Sequence, residues 1–244
     1  MPCVEELTLL SIKNILLATN SLESSELILR YLAGFARRYG ATVSVAHVIS
    51  PETISRIVSN REIDLVVIAG RRLRKLGARS IEDVFPMVPC PVLVIGPEVT
   101  YTELAKKALD RIVYVTDFSI SSLEALPYAA ALARDNEAQL TLVHVPEETT
   151  MGPVYYGDSR SFAFRKRLES LVPANSGFLC KSEFVVEYGN RAGGLVRVAA
   201  NLNASLIVMS VRGITAASAG MLWPGDSETV CRAQCPVLMV RGRY

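Results

Sequence analysis

The sequence of 244 residues is poor in the residue types that build metal centres and disulfide frameworks. It has two histidines and five cysteines, and no short segment combines them at the spacing of metal ligands. An odd number of cysteines without a regular array argues against a disulfide-stabilised secreted domain and favours a reducing compartment. We therefore predict no metal site and a cytoplasmic location.

Long apolar runs and a strong excess of one charge are also missing. No apolar stretch has membrane-spanning length, and the first residues lack the charged-then-apolar pattern of a signal peptide. The formal net charge is +2 and the pI is about 8.3, which gives no electrostatic reason to expect nucleic acid. We predict neither a membrane nor a nucleic-acid partner.

The short motifs of several common enzyme classes do not occur. The sequence has no P-loop, no Gly-x-Gly-x-x-Gly, no Gly-x-Ser-x-Gly and no His-Glu-x-x-His. Half of the residues are hydrophobic, which is enough for a substantial core. We therefore predict a folded, non-catalytic protein.

The sequence does contain an internal duplication. Four segments of the first half recur in order in the second half, and the repeat unit is far too long for a solenoid. We predict a duplicated domain, with units at 1–98 and 109–244 and a short linking helix near 102–109. The first members of the four pairs are Asn14-Ile-Leu-Leu-Ala-Thr-Asn20, Ala41-Thr-Val-Ser-Val-Ala-His-Val48, Asp64-Leu-Val-Val-Ile-Ala-Gly70 and Cys90-Pro-Val-Leu-Val-Ile95.

Each repeated segment contains an almost wholly apolar run of strand length, which is typical of parallel strands buried on both faces. Helical patterns separate these runs, at 23–39 before Gly40 and at 119–136. The second of these contains Pro127, which must lie in a first turn or kink the helix. The alternation predicts a doubly wound α/β fold with the strands in a parallel sheet.

The two copies differ by an insertion over 146–190 of the second copy. This insertion holds a helix candidate at 159–171 and a strand candidate at 183–188. At the same place the first copy has only one helix candidate, at 51–62.

The motifs resemble those of the universal stress protein family over almost the whole chain. The segments that carry the resemblance in the second copy are Tyr114-Val-Thr-Asp-Phe-Ser119, Leu142-Val-His-Val145, Leu206-Ile-Val-Met-Ser-Val-Arg-Gly213 and Cys235-Pro-Val-Leu-Met-Val240. The resemblance implies two tandem Rossmann-like domains of strand order 3-2-1-4-5, the first of which lacks the third strand. It also implies that the two last strands, at 92–95 and 237–240, pair within the chain as a pseudo-dimer, which hides two apolar edges. Further homo-oligomers stay open.

ATP-binding members of the family carry an aspartate after strand one, a valine ending strand two and the loop Gly-x2-Gly-x9-Gly-Ser/Thr after strand four. In the second copy the resemblance assigns these positions to Asp117, Val145, Ser210 and Gly213, with serine in place of the first glycine. Trp223-Pro224 stands where Gly-Ser is expected, and Gly225-Asp-Ser227 substitutes only if the loop is rebuilt.

The first copy departs further from this pattern. Asn20 replaces the aspartate, and Ala69 and Arg72 replace the two glycines. We expect no tight ATP site there, and at most weak binding of ATP or another adenine nucleotide in the second copy. Asp117 also has a structural interpretation, because a carboxylate at a helix N-terminus satisfies backbone N–H groups.

For three other features we favour a structural role over a functional one. The basic segment 71–79 fits a solvated loop better than a phosphate grip, because no aromatic residues interleave with its cations. His47 and His144 occupy matching strand ends, which favours a structural hydrogen bond over acid–base chemistry. Cys231 and Cys235 are interpreted as packing residues.

The resemblance implies a tandem universal stress protein that acts as a stress-response sensor or scaffold with an unidentified protein partner. An alternative is a weak nucleotide hydrolase or phosphotransfer enzyme, in which Asp117, His144 and Ser210 converge. A further alternative is an interaction module in which both ligand sites are lost.

Overall fold

The computed structural model of the chain describes residues 10–19, 25–47, 50–69, 84–105, 109–146, 159–172, 181–212 and 224–242. The strands are β1 (Asn14–Thr19), β2 (Thr42–His47), β3 (Leu65–Ala69), β4 (Val92–Ile95), β5 (Arg111–Val115), β6 (Gln139–His144), β7 (Ser182–Val186), β8 (Leu206–Arg212) and β9 (Val237–Gly242). The helices are α1 (Ser25–Tyr39), α2 (Pro51–Arg61), α3 (Tyr101–Ala105), α4 (Ile120–Leu123), α5 (Leu126–Asp135), α6 (Ser159–Glu169), α7 (Arg191–Asn201) and α8 (Pro224–Arg232), with a 3₁₀ turn at Phe85–Met87. Within the described ranges, no helix has the length and apolarity needed to cross a bilayer.

The described strands form one sheet in the order β2-β1-β3-β4-β9-β8-β5-β6-β7. The C-terminal half, β5 to β9, is parallel and has the order 3-2-1-4-5 when its strands are numbered from β5. The N-terminal half, β1 to β4, is also parallel and has the order 2-1-4-5, because between β2 and β3 the described residues contain only α2. The predicted doubly wound fold is confirmed, and the described residues of the first half contain no third strand, as predicted.

The sheet lies between two layers of helices, and strand residues alternate between them. In β1, Ile15 and Leu17 pack towards the layer that contains α1, α3, α5 and α6. Leu16 and Ala18 pack towards the layer that contains α2, α7 and α8. Because both faces are covered, nearly every residue of the central strands is apolar and buried, as the sequence pattern predicts.

The two halves join through their last strands. β4 and β9 run antiparallel, with Leu93 beside Leu238 at the centre of the seam and the pairs Val92–Met239 and Val94–Val237 on either side. The predicted pairing of these strands is confirmed. Since the seam is antiparallel, the carboxyl ends of the parallel strands in the two halves face opposite edges of the sheet.

Two details of the helices follow from glycine and proline. α1 ends at Tyr39, and Gly40 follows with φ of 61°, a left-handed conformation that glycine adopts without strain. The segment 119–136 is two helices rather than one, and Pro127 lies in the first turn of α5, where its missing N–H is not needed.

Candidate functional site at the carboxyl edge of the second half

The predicted site residues of the C-terminal half lie along one edge of the sheet. β5 lies between β8 and β6, and Val115 of β5 is level with Val143 of β6 and Met209 of β8. Ser210 is therefore one residue beyond this level, and Asp117 and Val145 are two. This edge is the topological switch point, where parallel α/β sheets bind their ligands. The fourth predicted residue, Gly213, lies outside the described residues, as do Asn20, Arg72, Trp223 and the basic segment 71–79.

Asp117 holds the start of α4 and faces a cation. Its Oδ1 accepts hydrogen bonds from the backbone N–H of Ser119 at 2.9 Å and from the Ser119 hydroxyl at 2.5 Å. Its Oδ2 lies 4.0 Å from the Arg191 guanidinium, and the side chain is 22% exposed. Oδ1 thus has the structural role that the sequence suggested, and Oδ2 lies beside the Arg191 guanidinium at the edge of the sheet.

The backbone next to Asp117 is fixed by a network of short polar contacts. Phe118 has φ of 62°, and its N–H donates to the Thr116 hydroxyl at 2.9 Å. The Thr116 and Ser122 hydroxyls are 2.9 Å apart, and the Tyr114 hydroxyl donates to the Ser122 carbonyl at 2.8 Å. Burial raises the pKa of Tyr114, so this phenol stays protonated and remains a donor. The loop that presents Asp117 is therefore held by the core beneath it.

Ser210 lies in β8, whereas the family resemblance places it at the first glycine of a loop after strand four. Its register in β8 continues beside β9, with Ser210 level with Val240 and Arg212 level with Gly242. The Ser210 hydroxyl is 3.4 Å from that of Ser121 in α4. Pairing with β9 thus extends the strand over the position where the family pattern has a loop. The helix α4 packs on the carboxyl ends of both strands.

The segment Gly225-Asp-Ser227 does not form a separate phosphate loop. It belongs to the first turn of α8, which begins at Pro224. Proline is favoured there, because its fixed φ suits a helix and the first N–H groups have no helical acceptors. Asp226 is buried, and a carboxylate in a first turn interacts favourably with the helix dipole.

Val145 is buried directly after β6, where α7 passes over it. A Cβ added to Gly194 would lie 3.4 Å from Val145 Cγ1 and 3.2 Å from Glu187 Cγ. The glycine therefore lets α7 approach the strand end closely. The adjacent N-terminus of α7 is capped by Asn190, whose Oδ1 accepts from the Gly193 N–H at 2.9 Å.

A cluster of aromatic rings stands beside Asp117, and sequence analysis did not identify it. The His144 ring lies 4.5 Å from the Phe118 ring and 4.7 Å from the Phe164 ring of α6. The Arg167 guanidinium lies over Phe118 at 4.3 Å. Phe164 and Arg167 are three residues apart on one helix, which is the only signal of their proximity that the sequence offered. The cluster places packed aromatic rings next to a carboxylate at this edge of the sheet.

His144 is a structural residue in this cluster. Its Nδ1 lies 2.8 Å from the Thr116 carbonyl oxygen, and because a carbonyl only accepts, Nδ1 carries the proton. Burial lowers the pKa of His144, the Thr116 carbonyl opposes this shift, and Arg191 and Arg167 add to it. The imidazole is therefore neutral near pH 7, and its described contacts are those of the structural hydrogen bond that we favoured.

Cationic side chains ring the same edge. Arg191 faces Asp117 and Arg167 covers Phe118, as described above. The Arg232 side chain of α8 approaches the N-terminus of α7, since its Nη1 would lie 3.9 Å from a Cβ on Gly193. Arg232 is paired with Glu228, so Arg191 and Arg167 are the guanidinium groups that make the region around Asp117 compatible with an anionic ligand.

At the corresponding edge of the N-terminal half, Ala69 is described, whereas Asn20 and Arg72 lie outside the described residues. Ala69 is the buried last residue of β3, and a methyl group stands where a glycine would let a phosphate approach. His47 ends the edge strand β2 and is exposed. Among the described residues, no group of three histidine, cysteine or acidic side chains is arranged to hold a metal ion. Cys235 is buried and Cys231 half-buried, and neither forms a disulfide.

Comparison with solved structures finds this fold in other proteins. A universal stress protein from Archaeoglobus fulgidus DSM 4304 aligns over 97% of this chain and 98% of its own, with a TM-score of 0.67 and 18% identity. A functionally unknown protein from Pseudomonas aeruginosa PAO1 aligns over 96% and 94% of the two chains, with a TM-score of 0.58 and 15% identity. A universal stress protein in complex with cAMP aligns with 56% of this chain and 100% of its own, with a TM-score of 0.44 and 22% identity. No curated protein matches the chain.

The architecture is thus that of a Rossmann-like α/β protein whose likeness to a solved universal stress protein extends over both halves. The sequence model of the Universal stress protein family matches residues 108–241, which is more than half of the chain. The chain belongs to the universal stress protein family.

Proposed function

We propose that the protein is a non-catalytic, cytoplasmic stress-response sensor or scaffold that binds an adenine nucleotide weakly in its C-terminal half. The observation that carries the nucleotide part is the position of Asp117. Its carboxylate stands at the switch-point edge, held by the core below and flanked by the aromatic rings of Phe118 and Phe164. A carboxylate of this kind accepts from ribose hydroxyl groups.

The phosphate side of the same site is the weaker one. In β8, Ser210 is engaged in the ladder with β9 and with Ser121, so its backbone does not form an open glycine loop. Pro224 contributes no N–H at the start of α8. The guanidinium of Arg191 supplies attraction without a cradle of backbone donors. We therefore expect adenosine, AMP and ATP to bind about equally, with dissociation constants at or above roughly 100 µM.

The test is a calorimetric titration of the full chain with the three ligands, repeated on Asp117→Asn. The amide oxygen of asparagine still accepts from Ser119, so the α4 start is preserved while the charge is lost. Asp110→Asn is the matched control, because Asp110 precedes β5 at the opposite edge of the same half. We expect binding by the wild type and the control, and a loss of at least tenfold in affinity in Asp117→Asn.

Two results would contradict this proposal. ATP binding much more tightly than adenosine would mean that backbone groups still cradle the phosphates. No binding of any of the three ligands would leave the interaction module as the function. That outcome agrees with a role of Asp117 confined to the α4 start.

A further inference from the structure

β2 is a free edge of the sheet in the part of the chain that the structure describes. It pairs with β1 on one side, and no described strand lies on the other. In the C-terminal half the equivalent strand, β6, is covered by β7. The difference arises because the described residues of the N-terminal half include no third strand.

The two outer edges of the sheet carry different side chains. β7 contains Glu183 and is flanked by Lys181 and Glu187, and charged residues of this kind discourage further strand pairing. β2 reads Thr-Val-Ser-Val-Ala-His and has no acidic, lysine, arginine or proline residue. Its Val45 is 50% exposed. The β7 edge is therefore protected against association, and the β2 edge is open to it.

The backbone of β2 presents a regular set of groups at this edge. The Thr42 N–H donates to the Lys13 carbonyl at 2.7 Å, and in a parallel ladder every second residue bonds to the same neighbour. Thr42, Ser44 and Ala46 thus face β1, and the N–H and C=O groups of Val43 and Val45 point away from it.

The chain already closes two apolar strand edges of this kind at its own seam. The Pro91 carbonyl accepts from Val66 of β3, and the Pro236 carbonyl accepts from Ile207 of β8. The backbone groups of the next residues, Val92 and Val237, therefore point away from β3 and β8. There Val92 pairs with Met239 and Val94 with Val237, around the central pair Leu93–Leu238. The seam is thus antiparallel and two-fold. Two pairs whose backbone groups point across the seam flank one pair, Leu93–Leu238, whose backbone groups point back into the two halves.

We propose that two copies of this chain associate through β2 by the same geometry. The strands run antiparallel about a two-fold axis at Ser44. Val43 then lies opposite Val45 of the partner subunit, and Val45 lies opposite the partner's Val43. This register joins outward backbone groups to outward backbone groups, as at the seam. It also pairs valine with valine on one face, and no like charges on β2 oppose it. The inference goes beyond the nucleotide proposal and does not rest on it.

The pairing is testable by sedimentation velocity on the full chain over a range of concentrations. A short strand pair buries less than a standard interface, so we expect a reversible dimer with a dissociation constant on the order of 10 µM. Val45→Pro removes an outward N–H without breaking the ladder to β1, and Val45→Lys places a charge at the edge. Both should weaken association at least tenfold, while Met87→Lys, an equal charge change at an exposed apolar residue, should leave it unchanged.

Circular dichroism establishes whether each variant is folded, and Val45→Lys serves as the test if the proline variant is not. Hydrogen exchange on the wild type is an independent readout, because the amides of Val43 and Val45 should become protected as the concentration rises. A chain that stays monomeric up to about 100 µM would overturn the proposal. A dimer that persists in both Val45 variants, or that leaves the two amides unprotected, would overturn it as well.

Discussion

Replacing Val237 by lysine tests the seam that joins the two halves. Val237 is 1% exposed and lies opposite Val94, so the substitution removes a fully buried apolar side chain. That loss amounts to about 1.5–3 kcal/mol. The lysine side chain would also have to be buried, either with its charge or after losing its proton, and both cost free energy. Neutralising it at pH 7 from a normal pKa of about 10.4 costs about 4–5 kcal/mol.

The two contributions to Val237→Lys sum to roughly 6–8 kcal/mol, which is comparable to the whole stability of a typical domain. We expect the variant to be unfolded or to lose most of its cooperative transition in urea, followed by circular dichroism. Ile120→Lys, at a residue that is 76% exposed, is the control and should change the free energy of unfolding by less than about 0.5 kcal/mol. A Val237→Lys chain within about 1 kcal/mol of wild type would refute the burial of this seam.

Three further predictions concern local features. Because burial lowers the pKa of His144, the unfolded chain binds a proton more readily than the folded one, and stability should fall as the pH drops below about 6.5. His144→Gln should flatten that decline in urea unfolding series from pH 7 to 5, and an unchanged slope would contradict the assignment. Gly96→Ala should destabilise the chain by about 1–3 kcal/mol, because its Cβ would collide with the Val230 carbonyl oxygen, whereas Gly34→Ala, with open space around it, should not destabilise. Calorimetry should show at most one ATP site per chain, and two equivalent sites would mean that the N-terminal half also binds.

The repeats predict the strands and the doubly wound fold because apolar runs encode them locally, while the strand order came from the family resemblance. Continuous apolar runs specify buried parallel strands, and the shorter spacing of the first copy leaves room for only one crossover helix. The pairing of 92–95 with 237–240 was predicted from the family resemblance, and it covers two strand edges that would otherwise be exposed.

Features that depend on neighbours distant in sequence were less accessible. The family resemblance places Ser210 in a loop, whereas pairing with β9 extends β8 through Ser210 to Arg212. Nothing local showed that Phe164, in the insertion, packs on His144 beside Asp117. Asp117 itself was identified from the family pattern, and its contact with Ser119 became visible only in the structure.

The most direct test of the central claim is a crystal structure of the full chain grown with excess adenosine. We expect electron density at the carboxyl edge of β5, β6 and β8, with the ribose next to the Asp117 carboxylate. We expect no such density at the opposite edge, beyond β1 and β3. Density in both halves, or no density beside Asp117 at saturating ligand, would contradict the proposed function.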